Sequence, residues 1–228
     1  SKTSLNTFMQ KTVSMEETIW GLYNAEVYSD WLTQHVRRQG LGDLTTDFKS
    51  IYAYEGPTGK KDYRLDNWFG TYNRSGTPVD ILVKVMGNVS DTTSLTTSYN
   101  GGPYLGTSMI RIPEMYYIMA ECDPDPQSSA EILDMVRFKR GIASSDATDG
   151  GKGYDEPDTR EGFDSGHTRR INEVMREYLK EYYGEGQLFY FYKRHNYVTF
   201  ANCSLVDVRT KYQFPLPENE DMFGITGK

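Results

Sequence analysis

Residues able to do chemistry are plentiful in this chain but loosely organised. It holds 32 Asp and Glu, and cleaving a glycosidic bond needs only two such carboxylates flanking it. Their separation is spatial, so abundance in sequence identifies no pair. The three histidines, His35, His167 and His195, stand without Cys or His at metal-ligand spacing, and are read as surface or capping residues. Asp146, Asp149, Asp155, Glu156 and Asp158 share one acidic stretch, yet they lack the alternating ligands and closing Glu of a calcium loop. A solvated loop is expected there, with no metal and no cofactor. The strings that cradle phosphate, bind a dinucleotide, hold zinc on a helix or raise a nucleophilic serine are all missing. No catalytic residue is assigned.

Aromatic side chains are the unusual chemical resource. There are 18 Tyr, 10 Phe and 3 Trp, 14% of the 228 residues, and a Tyr or Trp offers a flat apolar face with a polar tip. Most of these rings serve the core. Trp31, Tyr52 and Tyr54 lie in Gly-punctuated segments where an aromatic need not belong to a periodic face, and they are the candidates for stacking a sugar ring. Trp20 and Trp68 fall inside regular elements and are expected in the core.

The rest of the composition narrows the function classes. A net charge of -7 argues against a phosphate-tracking surface, which needs clustered Lys and Arg; no nucleic-acid partner is expected. No apolar run approaches the ~20 residues that span a bilayer. Cys122 and Cys203 can form at most one disulfide, which leaves the redox compartment open. A length of 228 residues fits one compact body.

These residues must be positioned by elements legible in the pattern. A strand is expected over 16–24 and a buried strand over 79–86, with long loops and short strands over 28–78 and a mobile Ser/Thr/Asn/Gly loop over 87–106. Pro113 opens a buried helix running to 122, with Met115, Tyr116, Met119 and Ala120 at helical spacing. A second helix over 128–140 starts at Ser128, with Glu131 completing a capping box, and ends at Gly141. The two should form an αα-hairpin. An exposed excursion follows over 143–168. A helix over 169–183 carries Ile171, Val174, Met175, Tyr178 and Tyr182 on one face, and a largely buried helix covers 187–195. The fold class read from this pattern is mainly α with a minor β component.

Three blocks recur in order: Arg111-Ile-Pro-Glu-Met-Tyr-Tyr-Ile-Met-Ala-Glu-Cys122, Ile132-Leu-Asp-Met-Val-Arg-Phe-Lys-Arg-Gly-Ile142 and Arg176-Glu-Tyr-Leu-Lys-Glu-Tyr-Tyr-Gly-Glu-Gly-Gln-Leu-Phe-Tyr-Phe-Tyr-Lys-Arg194. Together they resemble the C-terminal signature of SusD/RagB-like nutrient-binding lipoproteins. In that family one helix ends in Ala-Glu-Ala, the next carries Leu-Asn-x-Val-Arg-x-Arg, and a third reads Glu-Arg-x-x-Glu before Glu-Gly and a basic aromatic helix. Glu17-Thr-Ile-Trp20, Arg64-Leu-Asp-Asn-Trp-Phe69 and the closing Phe214-Pro-Leu-Pro-Glu-Asn-Glu220 are similar to further family segments. Cys122 stands for the usual Ala, Asp134 for Asn, Leu188 for Arg and Phe191 for Asp.

The resemblance implies a SusD-like C-terminal region over 1–228, belonging to a longer protein whose N-terminal helical repeats and lipoprotein signal precede it. It implies a non-enzymatic, lipid-anchored subunit at the cell surface of a Bacteroidetes-type outer membrane. Such a subunit captures oligosaccharide or another nutrient and passes it to a SusC-like TonB-dependent transporter. The alternatives are a glycan hydrolase using paired carboxylates and a protein-binding helical scaffold. Charged residues within the blocks, among them Glu114, Glu121, Arg137, Glu177, Glu181 and Lys193, are expected to pair where helices meet rather than to catalyse.

Overall fold

A computed structural model describes residues 17–23, 48–52, 62–82, 84, 106–142, 150–200 and 203–213. It is about 47% helical and 17% strand, mainly α with a minor β part. The chain divides into two compact units, one up to Gly184 and one from Glu185.

In the first unit, β1 (Thr18–Tyr23) pairs antiparallel with β4 (Gly106–Arg111). Between them come α1 (Phe48–Tyr52), α2 (Tyr63–Trp68), β2 (Phe69–Arg74) and β3 (Thr77–Leu82). The two short helices fall where loops and strands were expected. β2 and β3 form a hairpin closed by Ser75 and Gly76, with φ of 49 and 92 degrees. Positive φ at both central residues is what a two-residue turn needs to match strand twist. The expected strand over 79–86 thus starts two residues earlier, and its described part ends at Leu82, where Ile81 and Leu82 are buried.

Three helices follow: α3 (Ile112–Cys122), α4 (Pro126–Lys139) and α5 (Arg169–Glu181). All three pack on one another. Pro113 occupies the first turn of α3, as expected, but the buried face is Pro113, Tyr117 and Ala120. Met115 and Met119 point to solvent at 36% and 52% exposure. Several stripes on this helix are apolar, and only the partners select which is covered. The start of α4 also differs from expectation. Asp125 is the cap, accepting from the amides of Gln127 and Ser128, and Pro126 takes the first helical position. A Pro there has no amide to satisfy, so Asp125-Pro126 outcompetes Ser128 as the start. Ser129 donates instead to the carbonyl of Ala120 at 2.6 Å, tying α4 to α3. Gly141 ends α4 at φ 93 degrees, and a Cβ there would lie 2.7 Å from the Tyr63 ring. That Gly is required twice, by conformation and by space.

Residues 150–168 are only partly the exposed excursion expected. Tyr154 and Asp158 are buried, Pro157 bridges Thr168, and the amide of Arg170 donates to the carbonyl of Tyr154. Thr168 then caps α5 through the amide of Ile171. Trp68 is buried under the Lys84 ammonium, 3.9 Å from its ring. Trp20, expected in the core, is 52% exposed on β1 beside a register irregularity.

Among its described residues the second unit holds α6 (Gln187–Arg194) and a 3-10 turn at Arg209–Lys211. It has a small core of its own. Tyr192 stacks on Phe200 at 4.5 Å, and the Tyr212 hydroxyl donates to the Tyr197 carbonyl. Of the α6 aromatics expected to be largely buried, Phe191 and Tyr192 are, whereas Tyr190 is 67% exposed. Eight residues make little more than two turns, so one face meets the core and the opposite one is left out.

Candidate functional site

The three sugar-stacking candidates do not come together. Trp31 and Tyr54 lie outside the described residues, as do His35, Asp146, Asp149 and the closing Phe214–Glu220 segment. Tyr52 is 1% exposed, meets Phe69 edge-on at 5.3 Å, and donates its hydroxyl to the carbonyl of Lys180 at 2.8 Å. A ring so covered has no face to offer a sugar, and Tyr52 is a packing residue.

What the structure does bring together is charge. On α5, Glu173, Glu177 and Glu181 recur every four residues and so share one face. That face is turned inward: Glu177 and Glu181 are fully buried and Glu173 nearly so. Of the stripe expected to be apolar, Val174, Tyr178 and Tyr182 are buried and Ile171 and Met175 half-buried, so α5 turns an ionic face inward beside an apolar one. Cations reach these carboxylates from α2, β4, α4 and the 150–168 segment. Arg137 bridges Glu173 at 2.7 Å and Glu177 at 3.0 Å. Arg64 bridges Glu177 at 3.0 Å and Glu181 at 3.2 Å, and forks onto Asp62 at 2.7 Å. Arg111 and Arg140 each meet Glu181 at 2.8 Å. Arg160 extends the ladder from Glu173 to Asp158.

Burial by itself penalises every one of these ions. At Glu181 it works against ionisation, but Arg140, Arg111 and Arg64 more than offset it and hold the carboxyl well below the usual range. At Glu177, burial is likewise overcome by Lys180, Arg64 and Arg137. Lys180 is the weaker partner: burial, together with Arg64 and Arg176, pushes its ammonium down against Glu177 and Asp62. Asp158 is held at about 2, mainly by its hydrogen bonds from Arg160. Carboxylates so strongly ionised and so fully bonded are poor proton donors or acceptors at neutral pH.

One carboxylate behaves differently. Glu17 sits just before β1, with its side chain 19% exposed, and accepts from Arg140 at 3.0 Å through both oxygens. Burial and the nearby Glu181 push it up, against Arg140 and Arg111. Glu17 and Arg140 stand at one end of a cleft of ≈ 230 Å³ between α3 and α4. Ile112 and Tyr116, one turn apart, form one wall; Met135 and Phe138 form the other, with Lys139 alongside. Phe138 and Met135 are 61% and 50% exposed.

Sequence reasoning anticipated that Arg137, Glu177 and Glu181 pair. It missed Glu173, Arg64 and Arg160, although the four-residue spacing of the three glutamates was a readable signal. Lys193 is exposed. His167 Nδ1 hydrogen-bonds to the Asp164 carboxylate at 2.9 Å, and His195 packs on Phe191. Cys122 and Cys203 are free thiols. Among the described residues no group of three or more His, Cys, Asp or Glu is placed to hold a metal ion, and no helix is long and apolar enough to cross a membrane. No family model, curated protein or solved structure matches the chain.

Proposed function

We propose that this chain is the C-terminal region of a non-enzymatic, SusD/RagB-like nutrient-binding protein. In the full-length protein it is lipid-anchored at the outer-membrane surface, captures oligosaccharide and passes it to a SusC-like TonB-dependent transporter. The α3 and α4 pair is the SusD-like hairpin of this reading.

The observation that carries it is where the charges of the quoted blocks go. Arg111, Arg137, Arg140, Glu177 and Glu181 come from three separate blocks, and Arg64 from a fourth segment. All of them meet in one buried ladder. Such residues hold elements together, and a signature built from them marks an architecture rather than a reaction. The cleft supports binding over hydrolysis for a further reason. Among the described residues its lining carries one carboxylate, Glu17, whereas the two-carboxylate chemistry of glycosidases needs a pair across the bond.

A glycan array probed with the full-length protein tests this reading. Retention of a defined oligosaccharide class, together with co-purification of an outer-membrane transporter, is expected; silence across the array removes it. The protein-scaffold reading draws on a different observation. Ile19, Trp20, Leu22, Met109 and Ile110 on the β1–β4 ribbon are all exposed, and apolar side chains grouped in this way suit a protein interface. A stable protein complex combined with array silence would favour it.

A further inference from the structure

We propose that the cleft between α3 and α4 is a subsite for a single hexopyranose unit, an inference that rests on the glycan-binding reading and locates it on this chain. Size is the first constraint. At ≈ 230 Å³ the cleft is smaller than the roughly 300–1,000 Å³ of pockets that take drug-sized ligands. One six-membered ring with its substituents fits such a volume; two linked rings do not.

Chemistry is the second constraint. The walls are apolar and in part aromatic, with the Phe138 ring largely open and Tyr116 facing it from the other helix. A pyranose presents a C–H face to such rings and hydroxyls at its edge. The polar end of the cleft is built to receive those hydroxyls. Each oxygen of Glu17 accepts from Arg140 at 3.0 Å, which leaves further lone pairs on both. A hydroxyl donated to a carboxylate makes a short, charge-assisted hydrogen bond. Arg140, 3% exposed, lines the same end of the cleft and orients Glu17 through this pair.

Charge is the third constraint and weighs against a cation, which meets Lys139 at the opening and finds Glu17 already matched by Arg140 and Arg111. A wholly apolar ligand strips water from Glu17 and returns no hydrogen bond, which leaves a charged acceptor unsatisfied. A neutral, hydroxyl-bearing ring satisfies every surface of the cleft.

The test uses the full chain with D-glucose, D-galactose, D-mannose and their N-acetylamino forms, then an oligosaccharide that the parent retains. Hexose addition should shift the ring resonances of Phe138 and Tyr116 in NMR titrations. Phe138→Ala, at a position exposed enough to leave the fold intact, should weaken affinity about two- to twelve-fold, the loss of one ring contact. Glu17→Gln should weaken it further, with circular dichroism confirming that both variants fold. Parent binding with unchanged affinity in Phe138→Ala, and no shift at either ring, overturns the subsite while leaving the glycan-binding reading in place. No binding of any hexose or oligosaccharide by the parent overturns both.

Discussion

Replacing Glu181 by Gln should be among the most damaging isosteric changes in the chain. The carboxylate is fully buried and takes hydrogen bonds from Arg64 at 3.2 Å, Arg111 at 2.8 Å, and Arg140 at 3.0 and 2.8 Å. Gln keeps the shape but removes the charge, and its NH2 group must face one of those guanidinium donors. Three arginines then share the remaining carboxylates. Breaking a buried ion pair by removing one partner costs about 3–5 kcal/mol, a large part of the roughly 5–15 kcal/mol that holds a domain folded. Urea unfolding followed by circular dichroism measures the loss. With a slope of about 1–3 kcal/mol/M, the midpoint should fall by at least about 1 M. Glu131→Gln, at an exposed site on α4, is the control and should leave the midpoint in place. If Glu181→Gln unfolds within about 0.3 M of the parent, the ladder is not what locks α5 to its neighbours, and the reasoning fails.

Acid should destabilise the first unit. Glu173, Glu177 and Glu181 all have folded-state pKa values below the 4.5 reference, and Asp158 is at about 2 against 3.8. Their contribution is present above the unfolded values and is lost as pH falls through the folded ones. Glu17 has the opposite sign: its raised value favours the fold at low pH and loses that contribution as pH rises. The four outweigh the one, so urea midpoints should hold near neutrality and drop below about pH 4.5; a flat acid profile would contradict the ladder's charge state. Trp68→Ala should cost about 3–5 kcal/mol by emptying a buried site, measured by the same unfolding curves. Asp125→Ala should cost about 0.5–2 kcal/mol through loss of the α4 cap, and Ser128→Ala should cost less if Asp125 is the true cap.

Local signals in this sequence were informative wherever the competing options were local. The Pro at the start of α3 and the glycine after α4 each announce a helix end by the conformation they permit. Register errors arose where two good signals stood two or three residues apart, as at Asp125-Pro126 against Ser128. The ladder was harder to see because its partners are distant in sequence. Arg64 meets carboxylates 113 and 117 residues away, and no periodicity on either element records that meeting. The same absence of long-range information misassigned Tyr52 and Trp20. A Gly-punctuated context marks Tyr52 as a loop residue, yet α1 carries it into the core. A β-branched and aromatic run marks Trp20 as core, yet a two-stranded ribbon has a face with nothing described upon it. Of the functional candidates, the aromatic reasoning looked for open rings in Gly-punctuated loops, whereas an open ring also stands on a helix. Phe138 is such a ring, and it was passed over because it falls inside a block whose neighbours are structural.

The proposed function has the full-length protein bind glycan without cleaving it. The most direct measurement incubates the full-length protein with the oligosaccharide it retains best, at saturating protein, and analyses the recovered sugar by mass spectrometry. Saturable binding with the oligosaccharide recovered at its original mass is the predicted result. Shorter products accumulating with time and protein concentration would contradict it.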